Sequence, residues 1–248
     1  ATPQAPGSEG SEAPTPETSQ PPDREEAGPP GTFGSVLEPA TFLIRVALGN
    51  RRVGLGSGFL INPDHVVTNA HVATANARSI LVANTKIGEP IRATLVDRQY
   101  DRARRIDFAL LKLARPLPNV KPLQLTERIQ KAQPVVAAGY PGFSINLQNP
   151  GARRVPESVL TRGAVRVIAR YGSAAFRAIN HDADIDKGNS GGPLVDECGR
   201  VVGVNTYVVS NRARGVSLDF AQTTTSLLAF LKRRPSTRYT TSSTGCVR

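Results

Sequence analysis

Methionine and tryptophan do not occur in the 248 residues, cysteine occurs twice and histidine three times. No apolar run reaches the roughly 18–20 residues that a membrane-spanning helix needs, so no transmembrane segment is expected. The missing methionine means that residue 1 is not a translational start. The chain is therefore expected to be a processed product, with a removed signal peptide as the simplest cause. The two cysteines, Cys198 and Cys246, leave two readings open: a disulfide formed in an oxidising compartment that pins the C-terminal tail, or two free thiols.

Residues 1–31 also lack something, any aromatic or β-branched aliphatic side chain, while holding eight prolines. Such a segment cannot bury a core and is expected to form a disordered, partly polyproline-II arm over residues 1–32. It carries six acids against one arginine. The formal charge of +11 on the whole chain thus becomes about +16 on the rest. A body that basic could hold an anionic polymer or a lipid surface weakly. Its arginines are scattered, however, and no nucleic-acid motif accompanies them, so no specific nucleic-acid partner is expected.

From Thr41 the chain changes to short apolar runs punctuated by Gly, Pro, Asn and Asp, which reads as strands and turns. Strand-length runs fall at Thr41–Val46, Arg52–Leu55, Gly56–Ile61, His65–Thr68, Ser79–Val82, Ile91–Val96 and Asp107–Leu113. After a proline-rich crossing at Pro116–Leu125, further runs fall at Val135–Gly142, Ala175–His181, Arg200–Val209 and Gly215–Ala221, and Ser158–Ile168 is expected to form a hairpin. Only Thr225–Arg234 has helical apolar spacing, with basic residues in its last turn and Pro235 to stop it. Arg98, Arg102, Arg104 and Arg105 crowd the stretch ahead of Asp107, either as a solvated charged loop or beside a binding cleft.

Three words carry chemistry. In Asp182–Leu194, glycines on both sides of Ser190 leave the hydroxyl unobstructed, and the turn can aim the N–H groups of Gly188 and Ser190 at one point, as oxyanion stabilisation requires. Thr68-Asn69-Ala70-His71-Val72 offers a base, and Asp107, at the head of an apolar run, offers a carboxylate that burial would press against an imidazole. The order is His, Asp, Ser, with 36 residues from His71 to Asp107 and 83 more to Ser190. His65 and His181 have no partner word and read as structural or surface residues.

With these words in view, Thr41 to Lys232 resembles the trypsin-like (chymotrypsin-fold) serine proteases, specifically bacterial ones of the HtrA/Deg type. The resemblance implies an all-β fold: two six-stranded antiparallel Greek-key β-barrels with the active site between them, and a short C-terminal helix. It places the first barrel at residues 33–125, the second at 126–224, the helix at 225–235 and a polar tail at 236–248. It implies a serine endopeptidase acting on polypeptide substrates through His71, Asp107 and Ser190, with Gly188 and Ser190 as the oxyanion hole and neither metal nor cofactor. It also implies an exported bacterial protein, periplasmic or secreted. A non-catalytic peptide-binding or chaperone-like module on the same fold is the alternative. Unlike in the Deg proteases, no PDZ domain is expected after the helix, so activation by peptide tails in its usual form is not expected. Asn189 stands where digestive members keep an aspartate, so activation by an inserted N-terminal amine is not expected either.

For the S1 pocket the resemblance points to Asp184, six residues before Ser190, with Ile185, Asn205, Thr206 and Leu218 as walls. Three outcomes stay open: a carboxylate selecting Arg or Lys, an apolar pocket of Ile185 and Leu218 selecting Val, Ala or Leu, or Asp184 as a solvent-facing loop aspartate beside Asp182 and Asp186. The oligomeric state is not legible.

Overall fold

A computed structural model describes residues 32–49, 52–148, 155–170, 177–211 and 216–246; residues 1–31 of the expected disordered arm, Ala175, Phe176 and Gly215 lie outside these, and Thr32, expected in the arm, begins a helix. A helix the sequence does not announce, α1 (Thr32–Ala40), opens the described chain and buries Leu37 and Ala40 against β1. Its Pro39 reads as a breaker in sequence but falls in the last turn, directly before the first strand.

The first barrel closes in the order β1-β2-β3-β6-β5-β4, with β1 (Thr41–Ala47), β2 (Val53–Asn62), β3 (His65–Thr68), β4 (Ser79–Ala83), β5 (Ile91–Asp101) and β6 (Ile106–Leu113). Every pairing is antiparallel. The two runs expected at Arg52–Ile61 are one strand. Its repeated glycines are kept for close packing: a side chain at Gly58 would meet Ile44 and the Val67 carbonyl.

The second barrel closes in the order β10-β11-β12-β9-β8-β7, with β7 (Pro134–Gly139), β8 (Val159–Arg170), β9 (Arg177–His181), β10 (Pro193–Val195), β11 (Val201–Asn211) and β12 (Val216–Thr223). A short helix, α2 (Gly142–Gln148), follows β7. The helix α3 (Thr224–Leu231) is capped by Thr223, whose hydroxyl accepts from Ser226 N–H.

This last helix locks the barrels to each other. Its Phe230 stacks on Phe108 of β6 with ring centroids 5.7 Å apart, and Arg233 and Arg234 each reach buried Asp97 of β5 at 3.2 Å. The strand carrying Asp107 is thus held by the end of the second barrel. Beyond α3 the tail returns over the barrel, and Cys246 is disulfide-bonded to Cys198, the arrangement of two that fastens the tail.

Candidate active site

At the end of β3 the chain makes a single helical turn in which the Asn69 carbonyl accepts from Val72 and Ala73 N–H at 3.2 and 3.1 Å. Ala70 and Ala73 are buried, so the turn is anchored on its apolar side and His71 faces out with 41% of its side chain exposed. Asp107, the second residue of β6, is buried beneath it. One carboxylate oxygen accepts from His71 N–H at 2.9 Å and the other pairs with Nδ1 at 2.6 Å. A proton held on Nδ1 by that carboxylate leaves Nε2 as the open lone pair of the ring.

The acid is itself clasped from the second barrel. Gln222 of β12, fully buried, accepts from Asp107 N–H and donates to Asp107 C=O, both at 3.2 Å, and donates to the Thr206 hydroxyl. Asn69 completes the network by donating to Asp107 C=O at 2.7 Å and to the Thr206 hydroxyl at 3.2 Å. Nothing local in the sequence marks Gln222, and Asn69 stands in the His71 word without a role of its own. Their roles arise only when two barrels meet.

Ser190 sits in the turn before β10, and Ser57 of the first barrel fixes it: Ser57 N–H donates to Ser190 C=O at 2.8 Å, and its hydroxyl donates to Gly188 C=O at 2.7 Å. The same hydroxyl accepts from Tyr140 N–H at 2.9 Å. Gly188 (φ +108°) and Gly191 (φ +89°) adopt backbone conformations that side chains disfavour. A Cβ at either would also collide with Tyr140 C=O or Ser57 C=O, so both positions require glycine.

The two N–H groups of interest are oriented by their own peptides. The Lys187 carbonyl accepts from Gly142 N–H at 2.7 Å and the Asn189 carbonyl from Gly192 N–H at 2.9 Å. In a planar trans peptide the N–H points opposite to its C=O. The N–H groups of Gly188 and Ser190 are therefore turned outward, and among the described residues neither has an acceptor. The Ser190 hydroxyl donates to Thr206 C=O at 3.2 Å.

The pocket residues fall in different places. Asp184 is exposed, with its carbonyl accepting from Thr161, and Ile185 packs on the apolar interior of the second barrel. Asn205 lies behind the Ser190 turn, its backbone paired with Gly191 and Gly192. The Thr206 side chain turns into the Asp107 network, and Leu218 packs with Phe220, Tyr207 and Ala178. The residue between, Asp219, was not singled out in the sequence. It is only 6% exposed and one of its carboxylate oxygens is buried without a partner. Burial first, then repulsion from Asp184, raises its pKa to about 6. Across the strand pair His181 is also buried, and desolvation lowers its pKa to about 4, so it is neutral near pH 7.

Among the described residues the only metal-type trio is Asp196, Cys198 and Cys246. Its sulfurs are joined to each other and its carboxylate is taken by Arg200, so it offers no cation a site. Among the described residues no helix is long and apolar enough to cross a membrane.

Comparison with known proteins accounts for this arrangement. The pattern of the trypsin-like peptidase domain matches residues 56–204. The serine protease Rv3671c of Mycobacterium tuberculosis is 32% identical over 195 residues, 75% of this chain and 42% of that protein. Serine protease HTRA1A of Danio rerio is 38% identical over 162 residues, 64% of this chain and 31% of that protein. The chain thus spans less than half the length of these curated relatives. Among solved structures, the active form of the M. tuberculosis Rv3671c protease superposes with a TM-score of 0.65 at 26% identity, covering 95% of this chain and all of that one. The HtrA-type protease AlgW with a tripeptide gives 0.64 at 28% identity, covering 81% and 62%. Two closed barrels, the matched pattern and these relatives together place the chain in the family of trypsin-like peptidases, close to the HtrA-like serine proteases.

Proposed function

We propose that the chain is a serine endopeptidase. The observation that carries the reading is the pairing of His71 with Asp107 in the first barrel and the pinning of the Ser190 turn to that barrel by Ser57, with the N–H groups of Gly188 and Ser190 lacking an acceptor among the described residues. His71 Nε2 takes the proton of Ser190 Oγ as that oxygen attacks a peptide carbonyl carbon, once the hydroxyl leaves Thr206 C=O. Gly188 and Ser190 N–H groups receive the oxyanion, and Asp107 stabilises the imidazolium. The C–N bond then breaks with His71 protonating the departing amine, and water, deprotonated by the same nitrogen, releases the acyl group. A merely peptide-holding module has no need of acceptor-free donors beside a base. Incubation with casein and with a serine-directed fluorophosphonate is the test: hydrolysis and labelling are expected, and an unlabelled, inert protein rejects the reading. Periplasmic DegP-like relatives such as that of Pseudomonas fluorescens, and a disulfide suited to an oxidising compartment, support an exported protein.

For the residue on the acyl side of the scissile bond, P1, Asp219 favours the cationic choice. It lies on β12 between the Asp184–Ile185 segment and β11, where the pocket wall is expected, and its charge lacks compensation at one oxygen. A lysine or arginine side chain would supply it. Asp219→Asn is therefore expected to lose preference for Lys and Arg in a cleavage-site profile; an unchanged profile removes Asp219 from specificity. The same variant has a pH signature. The folded pKa of about 6 lies above the ordinary 3.8, so between these values the folded form holds a proton that the unfolded form has lost. Wild-type stability from this group accordingly falls as pH rises from 4 to 6 and stays lower above. The melting temperature of Asp219→Asn should draw ahead of wild type over that window, while the opposite contribution of His181 is shared by both proteins.

A further inference from the structure

The arginine-rich stretch ahead of Asp107 is the tip of the β5–β6 hairpin, which the structure folds over the imidazole of His71. Arg102 and Arg105, with Tyr100 and Tyr207 and with Asp101 and Asp107, line a pocket of about 430 Å³ that opens directly on His71. Neither guanidinium has an anionic partner among the described residues. The nearby acids are committed elsewhere, Asp101 to Arg104 at 3.2 Å and Asp107 to His71.

The pocket is held in shape. Arg105 lies over the Tyr207 ring, 5.5 Å from its centroid, and that ring stacks on Phe220 at 4.9 Å. The guanidinium is thereby oriented before any ligand arrives. The base of the hairpin is fixed by Arg98, which donates to Ala70 C=O at 3.1 Å, within the turn that carries His71, and lies 5.4 Å from the Tyr100 ring centroid. Arg105 also occupies a left-handed conformation, φ +52°, that glycine or asparagine takes more cheaply. The strain brings a cation to the cleft.

We infer that this pocket is a subsite for an acidic side chain of the substrate, at the residue preceding P1. The inference rests on the endopeptidase reading for its geometry. With P1 held between β12 and the Asp184–Gly188 segment, the preceding residues run along β11 from Thr206 towards Val208. The side chain before P1 then projects between His71 and Tyr207. Two uncompensated guanidiniums there attract a carboxylate and repel a lysine.

The test uses two peptides identical except for Glu or Lys at that position. Their kcat/KM is measured with the wild-type protein, and their affinity is measured by fluorescence anisotropy with Ser190→Ala, which needs no catalysis. Wild type is expected to favour Glu by about fivefold or more, with Ser190→Ala showing the same order of affinity and the difference shrinking as salt rises. Arg102→Glu/Arg105→Glu should reverse the preference. Arg105→Gly, whose backbone suits φ +52°, should reduce it with the hairpin intact. Equal affinity of Ser190→Ala for both peptides, or a preference untouched by the arginine variants, overturns the subsite. Preferential binding of the Glu peptide without hydrolysis by wild type overturns the endopeptidase reading and leaves the subsite standing.

Discussion

Ser190→Ala is expected to reduce hydrolysis of an unfolded protein substrate to the residual that binding and oxyanion donors alone provide, about 10³–10⁴-fold over water in the serine-protease template. Labelling by a fluorophosphonate should vanish with it. Asp107→Asn should cost about 10⁴ in kcat for a different reason. The carboxylate oxygen 2.6 Å from His71 Nδ1 holds the ring proton there. An asparagine amide can present a donor to Nδ1 instead, which moves the proton to Nε2, the atom that must accept from Ser190. A pH–rate profile of Asp107→Asn should therefore recover at high pH, when hydroxide replaces the missing base. Labelling of Ser190→Ala at full rate would remove Ser190 as nucleophile, whatever the behaviour of Asp107→Asn.

The three chemical words were legible because each is local. A glycine-flanked serine, a histidine after a strand and an aspartate heading an apolar run are recognisable within about ten residues. The strands followed from strand-length apolar runs and their closure into two barrels from the family resemblance, although Val53–Asn62 and Val159–Arg170 are single long strands where two runs and a hairpin were expected. What escaped depends on contacts between distant segments. Ser57 reads as a small residue in a glycine-rich strand, yet it holds two carbonyls of the nucleophile turn. Gln222 reads as a polar residue near a strand end, yet it clasps the backbone of Asp107. Nor does the sequence announce that β11 carries a register shift between Asn205 and Tyr207. That bulge turns the Thr206 side chain into the Asp107 network and its carbonyl towards Ser190. Alternation along β12 then puts Leu218 with Phe220 beside Tyr207 and leaves Asp219 facing the other way. The arginines before Asp107 were visible as a cluster; only the hairpin's fold over His71 gives them a place.

Asp196→Ala is expected to be among the most destabilising single changes, by about 3–5 kcal/mol, because it breaks a buried ion pair on one side only. Asp196 is fully buried and Arg200 is 2% exposed. Arg200 Nε and one terminal nitrogen donate to the same carboxylate oxygen at 2.9 and 2.7 Å, while the other oxygen accepts from Cys198 and Arg200 N–H at 3.0 Å each. Removing the carboxylate strands a guanidinium in the interior and unties the turn that holds Cys198. The remaining Arg200 nitrogen donates to Thr244 C=O at 2.8 Å and to the Ser242 hydroxyl at 3.1 Å, so the loss passes to the tail that Cys246 fastens. For a domain of this size the melting temperature should drop by roughly 10 °C. Asp196→Ala/Arg200→Met should recover a large part of it, since a buried pair replaced by apolar groups is often close to neutral. Calorimetry on the two variants decides between accounts: a double variant no more stable than Asp196→Ala would mean that the backbone bonds to Asp196, and not the stranded charge, carry the effect.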